Sequence, residues 1–487
     1  MQCFRVAFAF VIVMTMTEFV LAQDVPPPPV ENLHRTDADT DTPATCALTA
    51  SLSSVPPGGT TPSTLTWTTT FATRVTLNRG TVAIGGTLAV RPLTTATYTL
   101  TAYGSPGTTP ATCVKQITVT QPSCANGAIC PVTCGTGMIP DIRNGNLITL
   151  DPAHMVHVLL VAEGYTASDL SRFSTDVSTW LSQWGALEIY DDFREAFCFW
   201  KLPAVSNQNI VPGGAPEDTA FRIPVDSGGG VDLSDPLLTD VVEQRIWAQI
   251  SRLPYPPATF YPTTASRTRG MARNLVVSAM LYDTARGKAG FNGTTSLLEN
   301  PGNASQTVAT AFAQNYPHEF THAFARLRDE YMILDGSPIC ASSGPWTSGS
   351  VSNVVCTSSC SSVPWSHLMA GGTINPSVAG LVGAFGIAEE GYHSELKCLM
   401  NGDKSGNATV FGGETELRDE GRMCNFCREL TAFRLFERIG QLPDTSTSYA
   451  TWQTSYRQPF FATYGLDVPA TVPMETPPGR DVYTPCN

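Results

Sequence analysis

Apolar and polar positions follow two different rhythms along this chain. Between residues 46 and 120 they alternate in short runs, as in Ser63-Thr64-Leu65-Thr66-Trp67-Thr68, Arg74-Val75-Thr76-Leu77 and Thr97-Tyr98-Thr99-Leu100-Thr101, with Gly or Pro turns between them. A period of two gives each strand one core-facing side, and short strands at this spacing predict a β-sandwich. Cys46 and Cys113 sit near its two ends, where a disulfide could close it. Past residue 150 the rhythm changes. A continuous apolar run over 155–162 predicts a buried strand, followed by a turn at Glu163-Gly164-Tyr165-Thr166. A helix capped by Thr166 or Ser168 then runs to about Trp184, with Leu170, Phe173, Val177 and Trp180 on one face. Further strands are predicted over 197–205 and 274–280, with a helix over 236–250 between them. Strands alternating with helices predict a mixed α/β domain.

The segment 303–315 is apolar at helical spacing through Val308 and Phe312. Pro317 lacks an amide donor and crowds the preceding turn, so the helix should kink there or restart near Tyr316. Beyond it, Pro317-His318-Glu319-Phe320-Thr321-His322-Ala323-Phe324 contains the pattern H-E-x-x-H. Helical residues four apart differ by about 40° in angle and about 6 Å in rise, so both imidazoles point the same way. Two neutral imidazole nitrogens on one face can bind a single Zn²⁺ and leave positions for a third protein ligand and a water. Glu319 sits between the ligands, where it reaches that water instead of the metal. A carboxylate so placed can take the water proton and pass it to a leaving amine, the chemistry of peptide hydrolysis.

Leu327, Asp329, Glu330 and Tyr331 extend the string to H-E-F-T-H-A-F-A-R-L-R-D-E-Y. This resembles the signature of the IgA-peptidase family of secreted zinc metallopeptidases, H-E-F-G-H followed by L-x-D-E-Y. The resemblance spans roughly residues 150–440 and implies a zincin-like catalytic domain that opens with the strand, G-Y-T turn and helix noted above. It implies Asp329 as the third zinc ligand, with Glu330 as its competitor and Glu389, Glu390 or Glu395 as donors if the ligand comes from later in the chain. His367 and His393 read as structural histidines. Lys397-Cys398-Leu399-Met400-Asn401-Gly402 resembles the family's Cys-x-Met turn, in which Met400 packs beneath the metal without binding it. Cys424-Asn425-Phe426-Cys427 resembles an element opening the last helix, and a single C-x-x-C in an exported chain reads as a disulfide participant. Tyr331 would serve as oxyanion donor.

Two features depart from that pattern. Thr321 stands where the family has Gly. Asp329 also lies eleven residues after His318, about 16 Å along an ideal helix, so the chain must turn back for both to share an ion. Gly adopts the left-handed conformation of such a bend cheaply. The bend here falls within Ala323-Phe324-Ala325-Arg326-Leu327-Arg328, which contains none.

Arg5, the apolar run 6–14 and Val20-Leu21-Ala22 outline a signal peptide over residues 1–22, so the product is expected to be secreted. No later segment is long and apolar enough for a transmembrane helix. The Pro- and Asp-rich stretch 23–45 is expected to be an extended linker or pro-segment, followed by the sandwich module 46–120, which resembles the immunoglobulin-like modules of bacterial secreted enzymes. A Cys-rich linker, 121–149, leads to the catalytic domain 150–440 and a C-terminal extension, 441–487. The Ser- and Gly-rich insert 340–360 reads as a disulfide-held loop near the cleft. Fourteen cysteines, one of them Cys3 in the leader, leave an odd number to pair. A net charge of −13 argues against nucleic acid or an anionic membrane as partner. The expected product is thus a secreted zinc endopeptidase acting on protein or peptide, whose N-terminal module is a passive spacer or a contact to a surface or polymer. The alternative is a non-catalytic binding protein with a structural or vestigial zinc site.

Overall fold

The computed structural model describes residues 42–56, 61–120, 127–210, 218–223, 253, 275–282, 317–327, 351–355, 359–369, 372–373, 394–395, 398–400, 423–442 and 447–466. It also gives the backbone of short elements at 288–289, 295–299, 308–316, 381–383, 392–393 and 483–484. The expected leader, the 23–45 stretch up to residue 41 and the helix over 236–250 lie outside the described residues, as does most of the 340–360 insert. All the elements described below belong to one compact unit, Pro43–Asn487.

The alternating segment forms two sheets. Strands β1 (Thr45–Ala50), β3 (Ser63–Thr70) and β6 (Gly86–Val90) make one, in the order β1-β3-β6. The other runs β2 (Ser54–Val55), β8 (Ala111–Val119), β7 (Ala96–Tyr103), β4 (Arg74–Leu77) and β5 (Gly80–Val82). Leu65 and Trp67 from β3 share a core with Val75, Leu77, Tyr98, Leu100 and Ile117 from the facing sheet, so the inward half of each alternation is buried, as a sandwich requires. A disulfide joins Cys46 to Cys113. The module abuts the rest of the unit through its 78–81 turn, where Asn78 Nδ2 donates to Thr136 Oγ1 at 3.0 Å and the Thr81 amide to the Gly145 carbonyl at 2.9 Å.

Residues 130–149, expected as a linker, are structured. β9 (Cys130–Cys134) is an edge of the central sheet, tied to it by the Cys134–Cys198 disulfide, and β10 (Met138–Pro140) pairs with β11 (Leu147–Thr149). The central sheet also holds β12 (Val156–Glu163), β13 (Phe197–Leu202), β14 (Leu275–Leu281), β15 (Lys288–Ala289) and β16 (Thr295–Glu299), in the order β15-β16-β14-β12-β13-β9. The inner four strands are parallel and the two edges antiparallel to their neighbours. Every residue of β12 and β14 is buried, which explains their continuous apolar runs.

Helix α1 (Leu170–Trp184) follows β12, and α2 (Glu188–Asp192) leads into β13. Its cap corrects the expectation of Thr166 or Ser168. Asp169 is the N-cap, and its carboxylate turns back to accept from the Thr166 amide (3.2 Å) and hydroxyl (2.5 Å). α3 (Val308–Ala325) contacts β14, β15 and β16, and α4 (Asn425–Arg438) contacts α3. Helices α5 (Ser448–Ser455) and α6 (Arg457–Tyr464) place Trp452, Tyr456, Phe460 and Phe461 in the same core as the sheet. The boundary expected at 440 therefore does not separate packing units.

Candidate metal centre

His318 and His322 lie in the last two turns of α3, and an aromatic bed positions that helix. Phe320 meets Trp180 (5.5 Å between ring centroids) and Tyr190 (5.3 Å), and Phe324 meets Phe197 (5.4 Å). Offset and edge-on aromatic contacts of this kind add to simple burial. The helix runs unbroken through Pro317, contrary to the restart expected at Tyr316. Pro317 forfeits one backbone bond, but its own carbonyl accepts from Thr321 Oγ1 at 2.6 Å, and packing below holds the helical path. Thr321 spends its only proton there, so the Tyr190 hydroxyl donates to it, at 2.8 Å. Burial pushes the Tyr190 phenol above its ordinary range, keeping that proton in place. Thr321, where the family pattern has Gly, thus pins the helix to α2.

Both imidazoles are buried, His318 at 4% and His322 at 3% exposure. The His318 Nδ1 faces the Leu399 carbonyl at 2.9 Å, and the His322 Nδ1 faces the Leu327 carbonyl at 2.6 Å. A carbonyl oxygen only accepts, so each neutral ring carries its proton on Nδ1 and its lone pair on Nε2. The two Nε2 atoms are 3.0 Å apart. Lone pairs so close repel each other unless a proton or a cation lies between them. Two nitrogens about 2.0–2.1 Å from one tetrahedral Zn²⁺ stand about 3.3 Å apart, so the pair fits that ion with little adjustment. Carbonyls on the far ring nitrogens are also the supports that fix the tautomer of metal-binding histidines. Glu319, half-buried, follows His318 directly.

The end of α3 explains how the chain turns without glycine. Arg326 takes φ +58°, the left-handed conformation that closes many helices, and its amide donates to the His322 carbonyl at 3.0 Å. That reversal brings the Leu327 carbonyl back onto His322. From α4, Arg438 caps the same end, Nε donating to the Phe324 carbonyl (2.9 Å) and Nη2 to the Ala323 carbonyl (3.1 Å). Burial, reinforced by the neighbouring charge of Arg326, pulls the Arg438 guanidinium below its usual value.

The Leu399 carbonyl that meets His318 belongs to the turn Cys398-Leu399-Met400, which is wholly buried. Cys398 Sγ accepts from the Cys424 amide at 3.2 Å, and Cys424 Sγ from the Cys427 amide at 3.4 Å, at the start of α4. All three carry thiols, which for Cys424 and Cys427 corrects the expectation of a disulfide. Glu395, a competing third ligand by sequence, caps α4 by accepting from the Asn425 amide at 2.6 Å. His367 is buried against Glu429, Nε2 to Oε2 at 2.6 Å, and Arg457 Nε donates to the other oxygen at 2.7 Å. Burial alone would raise the Glu429 carboxyl, but those two partners hold it below its ordinary value. His367 is thus built into a buried polar network, as expected of a structural histidine.

The structure brings together His318, His322, Glu319 and the turn bearing Met400. Asp329, Glu330, Tyr331, Glu389 and Glu390 lie outside the described residues, as does the side chain of His393. Among the described residues no third His, Cys, Asp or Glu joins the two Nε2 atoms in a ligand group. Sequence reasoning missed the carbonyls of Leu327 and Leu399, the Tyr190–Thr321 bond and the Arg438 cap. No protein-family model matches the chain, and no curated protein matches it significantly.

Proposed function

We propose that the chain is a secreted zinc-dependent endopeptidase, with His318, His322 and Asp329 as metal ligands and Glu319 as general base. The observation that carries this reading is the pair of Nε2 atoms 3.0 Å apart, each ring oriented by a carbonyl behind it. The reversal at Arg326, three residues before Asp329, supports the third ligand, because a donor there needs the chain to turn back. Bound at this site, Zn²⁺ acidifies a coordinated water and polarises a peptide carbonyl.

The chain's own groups do the rest. Glu319 takes the proton of the attacking water as the new C–O bond forms, then delivers it to the amide nitrogen as the C–N bond breaks. Tyr331 donates to the oxyanion, and Met400 packs beneath the ligands. Among the described residues the central sheet ends at β15, which touches α3, and an edge strand can take an extended peptide by backbone pairing. This arrangement supports a zincin-like catalytic domain. The two-sheet module supports the immunoglobulin-like reading, with a spacer or surface-contact role. The disulfides Cys46–Cys113 and Cys134–Cys198 favour an oxidising compartment. Among the described residues no helix is long and apolar enough to cross a membrane. A shared metal set does not fix a substrate, so the proposal stops at peptide bonds.

The test compares wild type with Glu319→Gln for zinc content and cleavage of casein. Wild-type cleavage, and a variant that keeps its zinc but does not cut, support the mechanism. A wild type that binds no zinc after reconstitution would overturn it and favour the non-catalytic binding protein.

A further inference from the structure

Cys398, Cys424 and Cys427 come from two separate stretches, yet their sulfurs all lie within 4.8 Å of one another. All three residues are fully buried. Backbone amides already point at two of the sulfurs, from Cys424 to Cys398 at 3.2 Å and from Cys427 to Cys424 at 3.4 Å. A disulfide would use two sulfurs and leave the third buried beside it. A single cation uses all three, and sulfurs about 2.3 Å from a tetrahedral Zn²⁺ stand about 3.8 Å apart, within the observed span.

We propose that these three cysteines form a closed site for a thiophilic cation, Zn²⁺ being the probe, distinct from the histidine centre. Ser394 supplies the oxygen side of the fourth position, for its buried hydroxyl lies 3.5 Å from Cys424 Sγ. Loading exchanges three thiol protons for one dication, with no change of oxidation state. The site ties the Cys398-Leu399-Met400 turn to the first turn of α4. Leu399, whose carbonyl orients His318, is the next residue after a ligand, so this ion acts as a clamp on the histidine centre. No ligand is shared, so the cysteine site stands whether or not the peptidase reading does.

The test uses the full chain. Peptide mapping after alkylation in denaturant and chelator, without reductant, should find alkylated Cys398, Cys424 and Cys427. A disulfide between any two of them would overturn the proposal. The double variant His318→Ala/His322→Ala should retain one zinc per chain and, reloaded with Co²⁺, show thiolate-to-cobalt charge transfer. Cys427→Ser added to that background should abolish the band. A histidine-variant protein that folds yet gives no such band would also overturn the site, even if the cysteine variants prove insoluble. One zinc in both wild type and histidine variant would sink the peptidase reading while leaving this one standing.

Discussion

The Leu327 carbonyl accepts the Nδ1 proton of His322 at 2.6 Å, and the residue between them in the turn, Arg326, has φ +58°. The second imidazole of the H-E-x-x-H pattern is therefore oriented by a backbone group that a left-handed residue delivers. Glycine, the residue that adopts such a bend most cheaply, is missing from 323–328, and Arg326 makes the turn in its place.

Arg326→Gly should accordingly stabilise the chain. The left-handed conformation costs a non-glycine residue about 1–2 kcal/mol. Glycine gives back about 0.5–1 kcal/mol through its freer unfolded state. Removing the Arg326 charge relieves Arg438, which it disfavours, but withdraws its attraction for the Glu437 carboxylate, so the two charge effects offset. The net expectation is a gain of up to about 1 kcal/mol, read from the urea midpoint, with zinc content unchanged. Arg326→Val should lose stability and zinc together, since a β-branched residue fits this φ worst. A midpoint for the glycine variant below wild type would refute the account.

Thr321→Gly, which puts in the residue of the resembled H-E-F-G-H signature, should be costly here. It strips the Tyr190 hydroxyl of its buried partner, worth about 1–3 kcal/mol, and puts glycine inside a helix at about 1 kcal/mol more. Tyr190→Phe in the glycine background should recover part of the loss by removing the stranded hydroxyl. Equal stabilities of wild type and Thr321→Gly would show that the 2.8 Å bond contributes nothing.

What could be read from the chain divides along sequence distance. The strand expected over 155–162 and found over 156–163, the helix ending at Trp184 and the facing histidines are local patterns of period or spacing, and each lies within a residue of where the pattern puts it. The restart expected near Tyr316 does not occur because propensity is a weak prior, overridden by Phe320 and Phe324 in their aromatic bed. The helix opens at Asp169 instead of Thr166 or Ser168, with no side-chain capping bond; the Asp169 carboxylate bonds back to Thr166, which residue type alone does not reveal. The Tyr190–Thr321 bond spans 131 positions and the Arg438 cap 114, and no periodicity signals either. The cysteine trio was visible only as two unconnected motifs.

Arg438→Met should unfold the chain at lower urea than wild type. The substitution keeps much of the apolar stem but leaves the Ala323 and Phe324 carbonyls without their guanidinium donors. The expected loss is about 2–4 kcal/mol for two buried acceptors at a helix end. Arg438→Lys should fall between, because an ammonium cannot reproduce the fork that spans both carbonyls. A methionine variant as stable as wild type would mean that this end of α3 needs no cap.

Acid should weaken the fold through His157, far in sequence from α3. The Trp200 indole donates to Nδ1 at 3.0 Å, so Nε2 carries the proton and faces the Pro152 carbonyl at 2.9 Å. Protonation would have to displace the indole bond. Burial, only partly opposed by the Pro152 carbonyl, lowers the imidazole from 6.5 to about 4. The unfolded chain then binds a proton that the folded chain refuses between those two values, so stability rises with pH across the window. The full contribution is present above pH 6.5 and is lost as pH falls towards 4, about 3 kcal/mol at most. Other groups change charge on acidification, so the measurement is a difference. Urea unfolding of wild type and His157→Gln at stepped pH should give a gap that is constant above 6.5 and shifts steadily in the variant's favour below it. A gap independent of pH over the whole window would show that His157 takes its proton as readily folded as unfolded.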